Sequence, residues 1–224
     1  MPTVRRANRC YQLFRRFFSK PSGVGSPLNV YMFTPSHLLH LLKTLATQPA
    51  YFYHRLVVVY HQLRKPKAPW LTSDAISILE RLLTPDFIGF EWGSGKSTLW
   101  LAGRLKTLVS VEHDPEWYEI VRSDLTARNY TNLDLRLSSG DSYAAQIQSF
   151  PDDAFDFILI DGETRSRCIA AAASKIKAGG YIFIDNADTG YDVTPLAGFT
   201  YRPTDNGIWR TDIYIRPLEP ATRP

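Results

Sequence analysis

Five short apolar runs organise the second two-thirds of the chain: FIGFEW (87–92), TLVSVE (107–112), LDLRLS (133–138), FDFILI (155–160) and YIFID (181–185). Each enters a polar or Gly-containing turn. Helical stretches separate them: STLWLAGRL (97–105), PEWYEIVRSDLTARN (115–129), SYAAQIQ (142–148) and RSRCIAAAASKIK (165–177), with another helix at about 73–83. Strands that alternate with helices cannot pair as hairpins. They predict a parallel sheet covered on both faces. GFTYR (198–202) and IWRTDIYI (208–215), joined at DNG, read as a terminal antiparallel hairpin.

Upstream the pattern changes. Residues 1–20 mix Arg with Tyr11, Leu13, Phe14, Phe17 and Phe18 at amphipathic-helix spacing, and PSGVGSP (21–27) reads as a linker. TPSHLLHLLKTLA (34–46) reads as a helix capped by Ser36 with Leu38, Leu41, Leu42 and Leu45 on one stripe. AYFYHRLVVVYHQL (50–63) is helical or mixed, and KPKAP (65–69) breaks it. The expected organisation is a basic amphipathic segment and linker at 1–29, a helical extension at 30–69 and one α/β domain at 70–224.

Charge divides in the same place. The net charge is +4, yet no Asp or Glu precedes Asp74, while 11 of the 26 Lys and Arg do. The remainder is acidic, with 15 bases against 22 acids. The two cysteines, Cys10 and Cys168, form no disulfide framework or zinc cluster and read as reduced thiols of a cytosolic protein. No apolar run is long enough to span a bilayer, and no secretory signal pattern opens the chain.

The turn after the first strand, EWGSGKST (91–98), suggests a phosphate-binding loop. The nucleotide-hydrolase form needs Gly at residue 90, which is Phe90. Glu91 would also meet a polyphosphate with a carboxylate. The dinucleotide fingerprint fails at Thr98, where its third Gly should fall. Acid, Gly-x-Gly, then helix suits a cationic ligand better. A P-loop-like nucleotide hydrolase stays as a distant alternative, because FDFILID also resembles the Asp-ending strand of those enzymes.

Here the sequence resembles the class I S-adenosylmethionine-dependent methyltransferases, whose first motif is Asp/Glu-x-Gly-x-Gly-x-Gly. It reads Glu91-Trp92-Gly93-Ser94-Gly95-Lys96-Ser97, with Ser97 replacing the last Gly. SVEHD puts Glu112 at the end of the second strand, 19 residues after Gly93. SSGDSY follows the third strand, FDFILIDG the fourth, and YIFIDN closes the fifth. The resemblance covers about residues 70–215. It implies a Rossmann-like, doubly wound seven-stranded sheet in the order 3-2-1-4-5-7-6, last strand antiparallel. It implies S-adenosylmethionine as cofactor, held by Glu91, Gly93, Ser94, Gly95, Ser97, Thr98, Glu112, His113, Asp141, Ser142 and Asp161. Within that set Glu112 would accept the ribose hydroxyls, Asp141 would meet the adenine edge, and Asp161 would stand beside the transferable methyl.

Asp161, Asp185 and Asn186 follow strand ends, where doubly wound sheets bind ligands. Catechol-type O-methyltransferases hold magnesium at the matching positions, so Mg2+ on these three residues is one expectation. Without metal, Asp161 is the candidate base, and Arg165 would orient an anionic or carbonyl group of the acceptor. No Asp/Asn-Pro-Pro-Tyr/Phe follows strand four and no Pro-Cys nucleophile is present, which disfavours methylation of nucleic-acid bases. The expected reaction is O-methylation of a hydroxyl on a small molecule, sugar or lipid-linked glycan. A non-catalytic cofactor-binding or interaction module is the alternative.

The Arg- and Phe-rich residues 1–20 are read as binding an anionic membrane surface, which would make a cytoplasmic protein membrane-associated. An oligomer-forming extension, a transit peptide and nucleic-acid contact are the other readings. His37, His40, His54 and His61 read as polar positions on amphipathic helices.

Overall fold

The computed structural model of the protein describes residues 47–218. The helices expected at 1–20 and 34–46, the 21–27 linker, Cys10, His37 and His40 lie outside the described residues. Among those described, the elements run α1 (Pro49–Arg64), α2 (Ser73–Leu82), β1 (Ile88–Trp92), α3 (Lys96–Ala102), β2 (Thr107–Glu112), α4 (Pro115–Ala127), β3 (Leu133–Leu137), α5 (Asp141–Ala145), β4 (Phe155–Ile160), α6 (Arg165–Ala172), β5 (Ile176–Ile184), β6 (Thr200–Asp205) and β7 (Arg210–Ile215). Short 3-10 turns at Gln146–Ser149, Ala187–Thr189 and Thr194–Leu196 fill the connections.

The strands form one seven-stranded sheet in the order β3-β2-β1-β4-β5-β7-β6, the order that the resemblance implies. β1 through β5 are parallel, and β7 runs antiparallel to both β5 and β6. The reversal beyond β1, with β2 on one side and β4 on the other, makes a switch point at the carboxyl ends of the strands.

Period-2 alternation sorts the core. Ile158 and Ile160 of β4 join Phe90, Trp92, Val111 and Ile182 on one face, under Tyr143, Cys168 and Ile169 of α5 and α6. Phe157 and Leu159 join Leu108 and Phe183 on the other, under Ile76 and Leu79 of α2 and Leu101 of α3. Glu91 pairs in register with Ser110 and Leu159, so it lies on the α2–α3 face. Ser110 and Glu112 share that face by alternation along β2. Helix starts are set locally: Thr72 accepts from Ala75 N, and Asp114, ahead of Pro115, accepts from Glu116 N and Trp117 N.

Two elements differ from the sequence reading. The helix expected over 165–177 stops at Ala172, and β5 begins at Ile176 instead of Tyr181. Phe155 pairs with Ile176 and Phe157 with Tyr181, so a bulge through Gly179 and Gly180 absorbs the extra residues. Periodicity alone could not see that Ile176 has a strand partner. The ambiguous AYFYHRLVVVYHQL stretch is helical throughout, its Val run included.

Candidate active site

The Gly-rich turn connects β1 to α3, and two close approaches fix its path. Gly93 has φ +92, and a Cβ there would lie 2.8 Å from the backbone of Asp161 and Gly162. A Cβ on Gly162 would meet the hydroxyl of buried Tyr143. The β1 and β4 exits therefore touch with no room for side chains, which is the steric reason for glycine at both.

Glu91 lies beneath this turn, fully buried. Its Oε2 accepts from Thr98 Oγ1 at 2.5 Å and Ser110 Oγ at 2.6 Å, and Gly95 N donates to Thr98 Oγ1 at 2.8 Å. Oε1 is buried without a well-aligned partner, although the Ser97 hydroxyl is near enough to favour the anion. Burial raises its pKa to about 7, against the pull of the Ser110, Ser97 and Thr98 hydroxyls. Glu91 thus buttresses the start of α3 and is only partly ionised at neutral pH. This weakens the repulsion of phosphate inferred from sequence. The phosphate-loop reading meets a different obstacle in Lys96, whose Nζ sits 5.5 Å over the Trp70 ring.

Glu112, 2% exposed, is saturated from within. Oε2 accepts from Ser94 N at 2.9 Å and Ser94 Oγ at 2.8 Å; Oε1 accepts from His113 N at 2.8 Å and Asp114 N at 2.9 Å. Burial pushes its pKa up, but His113, the Asp114 amide and Ser94 more than offset this and lower it. His113 Nδ1 lies 3.0 Å from Glu112 Oε1, and its Nε2 is 3.3 Å from Glu163 Oε1. Hydrogen bonding to Glu112 raises the imidazole's pKa. Trp117 of α4 clamps the same turn, donating from Nε1 to Ser94 O at 2.8 Å.

At the β4 and β5 exits a single guanidinium ties the loops together. Arg165 Nη2 contacts Asp161 Oδ1 at 3.0 Å and Asp161 O at 2.9 Å, and Nε donates to Gly162 O at 2.9 Å. Nη1 reaches Asp185 O and Asn186 Oδ1, the latter at 3.4 Å. Asp185, 4% exposed, turns its carboxyl the other way, accepting from Thr211 Oγ1 at 2.7 Å. Burial first, and then the charge of Asp161, raise its pKa well above the usual carboxylate range. Asp161 is raised to about 6 by burial, with Arg165 opposing. Thr164 and Asn186, both in the left-handed region at φ +46 and +47, hold the two loops that meet at Arg165.

Two sequence expectations meet a different arrangement in the structure. A divalent ion on Asp161, Asp185 and Asn186 meets two obstacles: the Arg165 guanidinium contacts Asp161 Oδ1 and Asn186 Oδ1, and the Asp185 carboxyl is turned to Thr211. Among the described residues no group of three or more His, Cys, Asp and Glu could hold a metal. Arg165, expected to orient an acceptor, has all its donors engaged on these loops. It is a positioning residue for Asp161.

Asp141 and Ser142 lie farther out. Asp141 is fully exposed and accepts from Arg167 Nη1 at 2.7 Å, while Ser142 Oγ shares a 2.9 Å hydrogen bond with Ser138 Oγ. Sequence reasoning missed Ser110, Trp117, Tyr143 and Gly162. Only Gly162, in DG after a strand, carried a visible signal. The others act through contacts 19 to 51 residues away in sequence. Cys168 is buried, its thiol pushed up to about 12 by burial. Beside Asp161, residues 162–167 and Tyr191 line an open cavity of about 580 Å³.

A family model described as a methyltransferase domain matches residues 90–187. No curated protein matches the chain in sequence. Among solved structures, the chain is similar to a precorrin-6y C5,15-methyltransferase from Geobacter metallireducens at TM-score 0.53 and 16% identity, over 64% of this chain and 86% of that one. A Streptococcus mutans protein solved with SAH gives TM-score 0.51 at 15% identity, over 62% and 94%. The chain spans about half the length of some other matched structures, 48% and 50%. At these identities the likeness establishes the fold.

Proposed function

We propose that the chain, whose residues 90–187 match a methyltransferase-domain model within a sheet of order β3-β2-β1-β4-β5-β7-β6, moves a methyl group from S-adenosylmethionine to a hydroxyl on a small molecule, sugar or lipid-linked glycan. One observation carries the reading. Asp161, its side chain 30% exposed, stands against the Gly93 turn and just before Gly162, the first residue of the open cavity's lining, with one oxygen already held by Arg165.

The residues fit the cofactor. Beside Gly95 the turn leaves open space where a side chain would stand, and Glu91 Oε1 is a buried acceptor without a well-aligned hydrogen bond. Glu112 would hold the ribose hydroxyls once the Ser94 hydroxyl turns aside, and Gly93, Ser94, Gly95, Ser97, Thr98 and His113 would complete the site. Asp141 and Ser142 would meet the adenine edge after Arg167 yields. S-adenosylmethionine, when bound, supplies an electrophilic methyl on a sulfonium that departs as a neutral thioether. Asp161 accepts the acceptor's hydroxyl proton at Oδ2, which frees an oxygen lone pair for in-line attack. Arg165 keeps that carboxylate aimed, and residues 162–167 with Tyr191 offer the acceptor an open cavity beside it. In this reading residues 70–224 are the catalytic domain, residues 30–69 are its helical extension, and the basic residues 1–20 meet an anionic membrane surface.

Calorimetry with S-adenosylmethionine, followed by transfer of labelled methyl groups into fractionated cell extract, tests the proposal. Binding with turnover lost in Asp161→Asn is expected. ATP binding without cofactor binding would overturn it. Cofactor binding with no transfer to any fraction would instead favour a non-catalytic module.

A further inference from the structure

Helix α1 is turned inside out. A helix on a soluble domain ordinarily buries its apolar stripe and offers polar residues to water. Here no residue of α1 is buried, and the side facing the domain carries His54, His61 and Gln62 together with Val57 and Val58. The His54 ring abuts Gly207, and Lys65, just past the helix end, pairs with Glu80 at 2.6 Å. His61 and Gln62 line a small cleft with Val58 and Asn206. The outward side holds Tyr53, Leu56, Val59, Tyr60 and Leu63, with Val57 at its border with the cleft, exposed by 40% to 71%. At 3.6 residues per turn these fall within roughly 160° of the helix circumference. Among them Arg64 is the charged residue, and Arg55 lies at the margin.

A contiguous apolar patch of this kind marks a docking surface. Charge selects the occupant. Nothing acidic precedes Asp74, against 11 Lys and Arg. A second copy of the same face would set Arg64 and its acid-free neighbours against themselves with no carboxylate to answer. An anionic lipid surface answers them with phosphate, and Tyr rings and long Arg stems suit the zone between headgroup and acyl chain. Arg64 already lies over the Tyr60 ring at 5.7 Å, and Arg55 over Tyr51 at 6.0 Å. No helix among the described residues is long and apolar enough to cross a membrane.

We propose that α1 lies flat on anionic lipid, with Leu56, Tyr60 and Leu63 in the acyl boundary and Arg55 and Arg64 at headgroup phosphates. The inference is independent of the methyl-transfer reading. The test is flotation of the full chain with vesicles of phosphatidylcholine, alone or mixed with phosphatidylglycerol. Wild type floats with the mixed vesicles only. The double variant Leu56→Gln/Leu63→Gln binds at least about tenfold more weakly, at unchanged thermal midpoint. Leu63→Trp emission shifts to the blue with mixed vesicles only. Undiminished flotation of the double variant overturns the proposal, as does a wild type that ignores vesicles. A concentration-dependent dimer that the double variant loses, with no vesicle binding, assigns the face to a second copy instead.

Discussion

Arg165 Nη2 lies 3.0 Å from Asp161 Oδ1, and the same guanidinium donates to the Asp185 carbonyl at the end of the next strand. One side chain on α6 therefore fixes both loops that border the candidate site. It also puts a permanent cation where a divalent ion would need to sit. Arg165→Ala should destabilise the protein by about 3 kcal/mol in denaturant unfolding, since it strands a desolvated carboxylate. Arg165→Lys should recover stability in part yet still lower turnover about 100-fold, because a point charge cannot hold two loops. Turnover should be indifferent to a chelator. Activity lost on chelation and restored by magnesium would contradict the assignment.

Asp161 must be ionised to accept a proton, and burial raises its pKa to about 6. Turnover should therefore fall as pH drops through about 6, in a titration coupled to Asp185, which feels the charge of Asp161. Asp161→Asn should remove that limb of the profile along with turnover, while calorimetric binding of the cofactor persists.

Glu91 has a different pH signature. Its folded pKa of about 7 lies above the ordinary 4.5, so the unfolded chain ionises first as pH rises. Its contribution is most favourable below pH 4.5 and is lost between there and about pH 7, by about 3 kcal/mol. Above that it levels off. Glu91→Gln should show a flatter stability profile than wild type and exceed it at neutral pH. Parallel profiles for the two proteins would refute the assignment.

Glu112 is the hinge between the Gly-rich turn and β2. Replacing it with Gln removes a charge that accepts from Ser94 and two backbone amides. Cofactor affinity should fall by about 10- to 100-fold. An unchanged dissociation constant would remove Glu112 from the binding site.

The two glycines of the turn should separate fold from ligand. Gly93→Ala meets backbone at 2.8 Å at φ +92 and should cost at least about 2 kcal/mol. At Gly95 the nearest atom to an added Cβ is Trp117 Nε1, 3.8 Å away, so Gly95→Ala should keep its thermal midpoint. Weaker cofactor binding at that unchanged midpoint would assign the open space to the ligand.

The alternation of apolar runs and helical stretches carries local information. It was enough to place β1, β2, β4 and the terminal hairpin and, with the motif resemblance, the strand order. The positions of Glu91, Glu112, Asp161 and Asp185 at strand ends were equally legible, because each is a step in a two-residue repeat. What each carboxylate does was not. Whether a carboxylate is charged, and what it touches, depends on burial and on partners that arrive from other elements. Ser110 from β2 and Thr98 from α3 enclose Glu91, Ser94 saturates Glu112, and Thr211 from β7 turns Asp185 away. Arg165 was visible in the sequence as a charged residue after a strand. Only packing of the β4 and β5 exits against each other made it the cation at the centre of the site, because a guanidinium acquires five acceptors only where two loops converge on it.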